Sequence, residues 1–176
     1  FIKPGHRLTI PEKPEAIESY KQAIRIDPDF AEAHYNLGNA YHDSGKYEEK
    51  IESYKQAIRI DPDYADAHYN LGLAYHKSGK FQEAIESYKQ AIRIGPDYAD
   101  AHYNLGAAYY DLGKYEDAIE SYKQAIRIDP DDAKAHYNLG LAYLLLNDRG
   151  SALEQYKILK KLDTELANEL FNEIYK

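Results

Sequence analysis

Histidine and asparagine at fixed intervals are the residues of this chain with the most chemistry to offer. His34, His68, His102 and His136 recur every 34 residues, and so do Asn36, Asn70, Asn104 and Asn138. Histidine in such a pattern first raises metal binding and acid–base catalysis. A zinc ion holds its His nitrogens at about 2 Å, whereas equivalent residues on stacked helix pairs stand on the order of 10 Å apart. Equivalent histidines of neighbouring units therefore cannot share one ion, and His42 and His76 meet the same obstacle. The Asp-Pro-Asp segments at 27–29, 61–63 and 129–131 lack the closing Glu and remaining ligands of a calcium loop. They read as helix stops. No phosphate loop, dinucleotide fingerprint, GxSxG or HExxH occurs, and there is no cysteine to serve as thiolate or disulfide. No catalytic residue, metal or cofactor is expected, and the chain is not read as an enzyme. The asparagines differ: each side-chain amide offers both donor and acceptor, so a row of them suits an extended peptide backbone.

The interval itself defines the elements that must carry these side chains. HYNLG stands at 34–38, 68–72, 102–106 and 136–140, and IESYKQAIRI at 51–60, 85–94 and 119–128. Residues 65–98 and 99–132 agree at 25 of 34 positions. A period of this length marks a stacked array. With Ala31 as its first position the units are 31–64, 65–98, 99–132 and 133–166. Within a unit, apolar residues recur at helical spacing in two runs, Ala33, Leu37, Ala40 and Tyr41, then Ile51, Tyr54, Ala57 and Ile58. Gly45 with Lys46 suits the turn between the runs, and Pro62 ends the second. Asp63 is expected to cap the next helix, with Asp66 three residues on. Gly38, Gly72, Gly106 and Gly140 lie inside helices, where glycine costs roughly 1 kcal/mol against alanine; close helix approach is the expected return. One helix pair cannot bury its apolar face alone, so neighbours must stack.

The residues Leu71, Gly72, Tyr75, Ala84, Tyr88, Ala91 and Pro96 of the second unit, repeated at equivalent places in the others, resemble the tetratricopeptide repeat family. That resemblance covers roughly residues 14–166. It implies an all-α fold, a right-handed α-solenoid of antiparallel helix pairs, and a protein–protein interaction scaffold. Departures are Lys50, where a small residue is expected, and Leu159 and Thr164, where Ala and Pro are expected. The Lys50 ammonium is expected to reach the edge of the fold. The last unit looks like a boundary unit.

The resemblance further implies that positions 2, 5, 6, 9, 12 and 13 of each unit face an inner, concave groove. In this sequence those positions supply the candidate peptide-binding residues Tyr35, Asn36, Asn39, His42 and Asp43; Asp66, Tyr69, Asn70, Leu73, His76 and Lys77; Asp100, Tyr103, Asn104, Tyr110 and Asp111; and Tyr137 and Asn138. The asparagine row is similar to the ladder in the repeat region of O-linked N-acetylglucosamine transferase. The alternative is that each Asn bonds a neighbouring helix. Groove leucines Leu141, Leu144 and Leu145 can instead be covered by the final helix. A clamp for a chaperone's C-terminal carboxylates would need Lys at position 5, which is Tyr throughout, and only Lys134 fits the wider pattern.

Net charge is −8. It argues against nucleic acid, whose phosphates need Lys and Arg, and against anionic membranes. A basic or mixed peptide is the favoured partner. Residues 1–13 read as an extension or linker, and 14–30 as a half repeat holding a second helix only. Its apolar face (Ala16, Ile17, Tyr20, Ala23, Ile24) calls for cover by Phe1, Ile2, Leu8 and Ile10 or by another copy of the chain. Residues 164–176 read as a C-terminal capping helix, with the stripe Leu162, Leu166, Leu170 and Ile174. Phe1 to Lys13 carry no signal-peptide pattern; the compartment is left open, with a soluble, cytoplasmic chain the favoured expectation. Two alternatives to the peptide scaffold stand beside it, a self-assembling repeat protein and an accessory region of a larger enzyme such as a glycosyltransferase.

Overall fold

A computed structural model describes residues 13–41 and 46–176 of the chain. Among them are ten α-helices and no strand, an all-α fold of antiparallel helix pairs of the α-solenoid class. The helices form two compact units, Phe1–Asp63 and Tyr64–Lys176. The first holds α1 (Lys13–Ile26), α2 (Ala31–Ala40) and α3 (Tyr47–Ile60). The second holds α4 (Ala65–Lys77), α5 (Phe81–Ile94), α6 (Ala99–Asp111), α7 (Tyr115–Ile128), α8 (Ala133–Leu145), α9 (Arg149–Leu162) and α10 (Thr164–Ile174).

The turn inside each pair has a local cause. Gly79 and Gly113 have φ of 75° and 73°, a left-handed conformation that glycine reaches without a Cβ clash. The Gly79 N–H donates to the His76 carbonyl and the Lys80 N–H to the Tyr75 carbonyl, closing the end of α4. Asn147 takes the same role after α8, with φ of 60°. Gly45 lies outside the described residues.

Between pairs the expected cap shifts by one residue. The helix-preceding positions are Phe30, Tyr64 and Tyr98, none of which caps through its side chain. The aspartates instead order the linker: Asp61 Oδ1 accepts the backbone N–H of Asp63 and Asp129 Oδ1 that of Asp131, as a short Asp side chain does in a turn. Asp132 alone of the described repeat linkers caps directly, accepting from the N–H groups of Lys134 and Ala135. The repeated histidine then has a structural use. Its Nε2 lies 3.1 Å from the Pro28 carbonyl in His34, 2.9 Å from that of Pro96 in His102, and 3.0 Å from that of Pro130 in His136. A carbonyl only accepts, so each Nε2 carries the proton.

The interior glycines hold the close approach expected of them. A Cβ on Gly38, Gly72 or Gly106 would stand 2.6 Å, 2.5 Å and 2.7 Å from the ring of Tyr54, Tyr88 and Tyr122 respectively. Each ring belongs to the second helix of its own unit and is at most 2% exposed. Small residues set the spacing elsewhere: Ala84, Ala118 and Ala152 are fully buried, and so is Ala91.

Lys50 occupies the place of Ala84 and Ala118, and here the sequence expectation fails. The residue is 4% exposed rather than turned to the edge, with its Nζ 5.7 Å from the centre of the Tyr54 ring. The α2–α3 pair accommodates the stem where a methyl group fits in other units. A buried ammonium with its contacts rarely outweighs a well-packed apolar replacement. Lys50→Met, which keeps the volume of the stem and removes the charge, is expected to raise stability by about 1–2 kcal/mol, a shift of roughly 2–8 °C in melting temperature for a chain of this size. Thermal melting followed by circular dichroism checks this, and a lower melting temperature would show that Lys50 is a stabilising contact.

The C-terminal end departs from the repeat. A single residue, Asp163, joins α9 to α10, since Thr164 stands where Pro62 and its equivalents extend the linker. Asp163 caps α10 by accepting from the N–H groups of Glu165 and Leu166. Ala167, Leu170 and Ile174 are buried with Leu159 and Ala152, while Phe171 is 40% exposed. The expected stripe is thus buried at Leu170 and Ile174 and half-buried at Leu162 and Leu166. Phe1, Ile2, Leu8 and Ile10 fall outside the described residues.

Candidate functional site

The first helices of the pairs carry the candidate residues, α2 in the first unit and α4, α6 and α8 in the second. Helical spacing puts Tyr69, Asn70, Leu73, His76 and Lys77 on one side of α4, opposite the buried stripe Ala67, Leu71 and Ala74. None of the described candidates is buried. Asn39, Asp66, Lys77, Asp100 and Asp111 are exposed, and Tyr35, Asn36, Tyr69, Asn70, Leu73, His76, Tyr103, Asn104, Tyr110, Tyr137 and Asn138 are half-buried. His42 and Asp43 lie outside the described residues.

In the second unit the asparagines and tyrosines form one connected row. Asn104 Nδ2 donates to the Tyr69 hydroxyl at 3.1 Å, and Asn138 Nδ2 to the Tyr103 hydroxyl at 2.8 Å. Each bond runs from one first helix to the one before it. Asn104 Nδ2 also donates to the Asp100 carbonyl at 2.8 Å. Both donors of that amide are thereby engaged within the protein. Its Oδ1 keeps acceptor capacity, and the Tyr69 hydroxyl, having accepted, keeps its own hydrogen to donate. The two readings of the asparagine row are therefore compatible: the amide nitrogen ties neighbouring helices and the oxygen stays available.

A second cross-helix contact joins His76 on α4 to Asp111 on α6, 2.7 Å apart. Sequence reasoning missed Tyr98, the last residue before α6. Its ring stacks on Tyr69 with centroids 4.8 Å apart, and its hydroxyl donates to Asp66 at 3.0 Å. A Tyr at both 64 and 98 was the available signal. A pocket of about 470 Å³ opens beside this row, with Asp100, Tyr103, Asn104, Asp131, Lys134 and Asp163 among its lining residues. In the first unit, Tyr54 donates to Asn39 Oδ1 at 2.7 Å. The groove leucines divide: Leu141 and Leu144 pack against the α10 cluster, whereas Leu145 is 46% exposed.

The tyrosine row sets an alkaline limit. Burial chiefly, with the Asp100 carboxylate adding to it, pushes Tyr69 up to about 12 from its ordinary 10.0, against the lowering effect of the Asn104 bond. Burial also raises Tyr54, Tyr88 and Tyr122. A phenol held neutral in the folded state binds its proton more tightly than in the unfolded chain. The resulting stabilisation is complete below pH 10 and is lost as pH rises through 10 towards the folded values. Melting temperature is expected to be flat from about pH 8 to 9.5 and to fall steeply above about 10.5. Melts in that range check this, and a flat profile to about pH 11.5 would contradict it.

Among the described residues no group of three His, Cys, Asp or Glu side chains is placed to hold a metal ion, and no helix is long and apolar enough to cross a membrane.

Helix pairs with buried small residues at fixed places and an accessible row on their first helices define a helical-repeat interaction scaffold. The tetratricopeptide repeat profiles match residues 13–45, 38–79, 73–113 and 106–147, and again 133–165. The chain belongs to the tetratricopeptide repeat family. Solved structures agree. The crystal structure of MamA is 34% identical with a TM-score of 0.83, over 89% of this chain and 91% of that one. YrrB, described as a TPR protein with an unusual peptide-binding site, is 25% identical with a TM-score of 0.81, over 92% and 84%. A thermophilic TPR protein of Thermus thermophilus, TTC0263, is 25% identical with a TM-score of 0.66, over 93% and 91%. No curated protein sequence matches the chain significantly.

Proposed function

We propose that this protein binds an extended peptide segment of another protein along the first-helix face, and carries out no catalytic step itself. The asparagine–tyrosine row of α4, α6 and α8 is the observation that carries this reading. It offers Asn Oδ1 acceptors and Tyr O–H donors held at fixed positions by their own cross-helix bonds. First helices of stacked units stand about 10 Å apart and an extended chain advances about 3.3 Å per residue, so roughly every third peptide residue meets one Asn. Pre-set donors and acceptors lower the ordering cost of binding. α2 of the first unit presents Tyr35, Asn36 and Asn39 at equivalent places. The unit boundaries 31–64, 65–98, 99–132 and 133–166 form part of the proposal.

Exposed Asp66, Asp100 and Asp111 favour a basic or mixed peptide. The peptide-binding description of YrrB supports a peptide as the ligand, without bearing on its charge. The test is a titration with a peptide selected on the wild-type chain. Asn70→Ala and Asn104→Ala are each expected to weaken binding roughly three- to tenfold, the worth of one lost hydrogen bond. Gln90→Ala and Gln124→Ala on the second helices leave it unchanged. Melting temperatures of all four variants separate lost contacts from lost structure. Affinity untouched in folded Asn70→Ala and Asn104→Ala would remove the groove reading.

A second reading, self-assembly, is favoured by one feature of the first unit. A cleft of about 350 Å³ between α1 and α2 is lined by Tyr20, Ala23, Phe30 and Ala33, and Phe30 is 43% exposed. Light scattering across a concentration range decides it; a constant monomer mass removes it.

A further inference from the structure

Among the described residues α1 has no first helix before it, whereas α3, α5, α7 and α9 each follow one. Tyr20 of α1 is the counterpart of Tyr54, Tyr88 and Tyr122 at the 34-residue interval. Those three rings lie against Gly38, Gly72 and Gly106 of the first helix in their own unit and are at most 2% exposed. Tyr20 is half-buried.

Phe30 and Asn36 share its situation. In the second unit Tyr98, the counterpart of Phe30, lays its ring on Tyr69 of the preceding first helix. Asn104, the counterpart of Asn36, donates to the hydroxyl of that same Tyr69. Among the described residues Phe30 has no ring contact and the Asn36 amide no hydrogen bond. Tyr20, Phe30, Ala33 and Asn36 line one cleft between α1 and α2.

The cleft thus has the imprint of a first helix, and the second unit shows what that helix must carry. One tyrosine stacks on the Phe30 ring and accepts from Asn36. A glycine three residues later, as Gly72 follows Tyr69, leaves room for the Tyr20 ring; a Cβ on Gly72 would stand 2.5 Å from the Tyr88 ring. At the 34-residue interval this chain offers Phe1 and Pro4 for those two places. Phenylalanine has no hydroxyl to accept with, and proline brings atoms where the ring must lie and removes a helical N–H. A second copy offers nothing better. Gly38, Gly72 and Gly106 are taken by their own tyrosines and Gly140 by Leu170.

We propose that the α1–α2 cleft is a docking site for a helix of a partner protein bearing Tyr-x-x-Gly, the pattern of a first helix in a tetratricopeptide unit. Its glycine receives Tyr20, and its tyrosine meets Phe30 and Asn36. The site shares Asn36 with the peptide-binding face but takes a helix rather than an extended segment, so either reading can fail alone.

The probe is a fluorescein-labelled peptide of residues 65–78, which carries Tyr69 and Gly72, titrated with the full chain and followed by anisotropy. Gly72→Leu in the peptide favours the helix, yet it is expected to weaken binding at least about fivefold, because overpacking against Tyr20 outweighs that gain. Tyr69→Phe in the peptide is expected to weaken binding to the wild-type chain roughly three- to tenfold, the worth of one hydrogen bond. On the Asn36→Ala chain the same peptide change is expected to make no difference, because the bond is already gone. Tyr20→Ala in the chain is expected to weaken the parent peptide at least about tenfold. Changes in the peptide cannot unfold the chain, so they decide the matter should Tyr20→Ala fold poorly. A leucine peptide that binds as tightly as its parent, or a parent peptide that does not bind, would overturn the proposal. Binding that Asn104→Ala weakens and Tyr20→Ala leaves intact would also overturn it, by placing the peptide on the α4–α8 row.

Discussion

Replacing Tyr88 by alanine is expected to cost about 3–5 kcal/mol, as loss of a large buried ring does, whereas replacing it by phenylalanine is expected to cost nothing. The ring is fully buried against Gly72, Ala84, Ile85, Leu105 and Ala108. Truncation leaves a cavity that rigid helices cannot close. The hydroxyl is a different matter. Among the described residues this buried hydroxyl has no hydrogen-bond partner, and a buried group in that state forfeits its hydration, roughly 1–3 kcal/mol. Phenylalanine keeps the ring and removes the penalty, for a gain of about 1 kcal/mol. Tyr54 is the control. Its hydroxyl donates to Asn39 at 2.7 Å, so Tyr54→Phe is expected to lose about 1 kcal/mol. The difference arises at one position: where the first full unit has Asn39, the second has Leu73. Urea denaturation of the three variants checks the set. A loss in Tyr88→Phe equal to that in Tyr54→Phe would show that the Tyr88 hydroxyl is paired.

Leu159→Ala is expected to lose about 2–5 kcal/mol, the usual range for a buried leucine, although it brings the sequence closer to its own repeat. Ala57, Ala91 and Ala125 hold the same place in other units, and alanine is the better helix former by a few tenths of a kcal/mol. The neighbour decides the sign. At Ala91 and Ala125 a repeat helix follows after a four-residue linker; at Leu159 the short α10 follows after one residue. Leu159 is fully buried among Ala152, Ala167, Leu170 and Ile174. Removing its methyl groups empties the joint that holds the cap. Denaturation midpoints test this, and a stabilised Leu159→Ala would show that the repeat rule governs the cap as well.

The pairing of helices and the buried alanines were legible in the sequence, because each follows from local preference or from a period repeated several times; the turn read there, at Gly45, has its described equivalents at Gly79 and Gly113. The described candidate residues, named from the resemblance to the repeat family, fall on first helices and are exposed or half-buried. Less legible were the caps: Asp63 has the right type for one, yet Tyr64 takes the helix-preceding place and Asp61 orders the linker. The double role of Asn104 was legible only as two alternatives, since a donor's partner 35 residues away is set by packing.

Sequence by itself determined that this chain is a run of near-identical helix pairs with amide and phenol groups at constant places, since a period of 34 residues fixes which side chains share a face. Tertiary structure alone decided which members of each repeated set differ in energy. Tyr54 has a hydrogen-bond partner and Tyr88 has none among the described residues, Lys50 is buried, and Leu170 fills the slot at Gly140. The physical reason is that repetition specifies local conformation and face, while burial and hydrogen bonding depend on neighbours distant in the chain, and those neighbours change at one substituted position or at the end of the array.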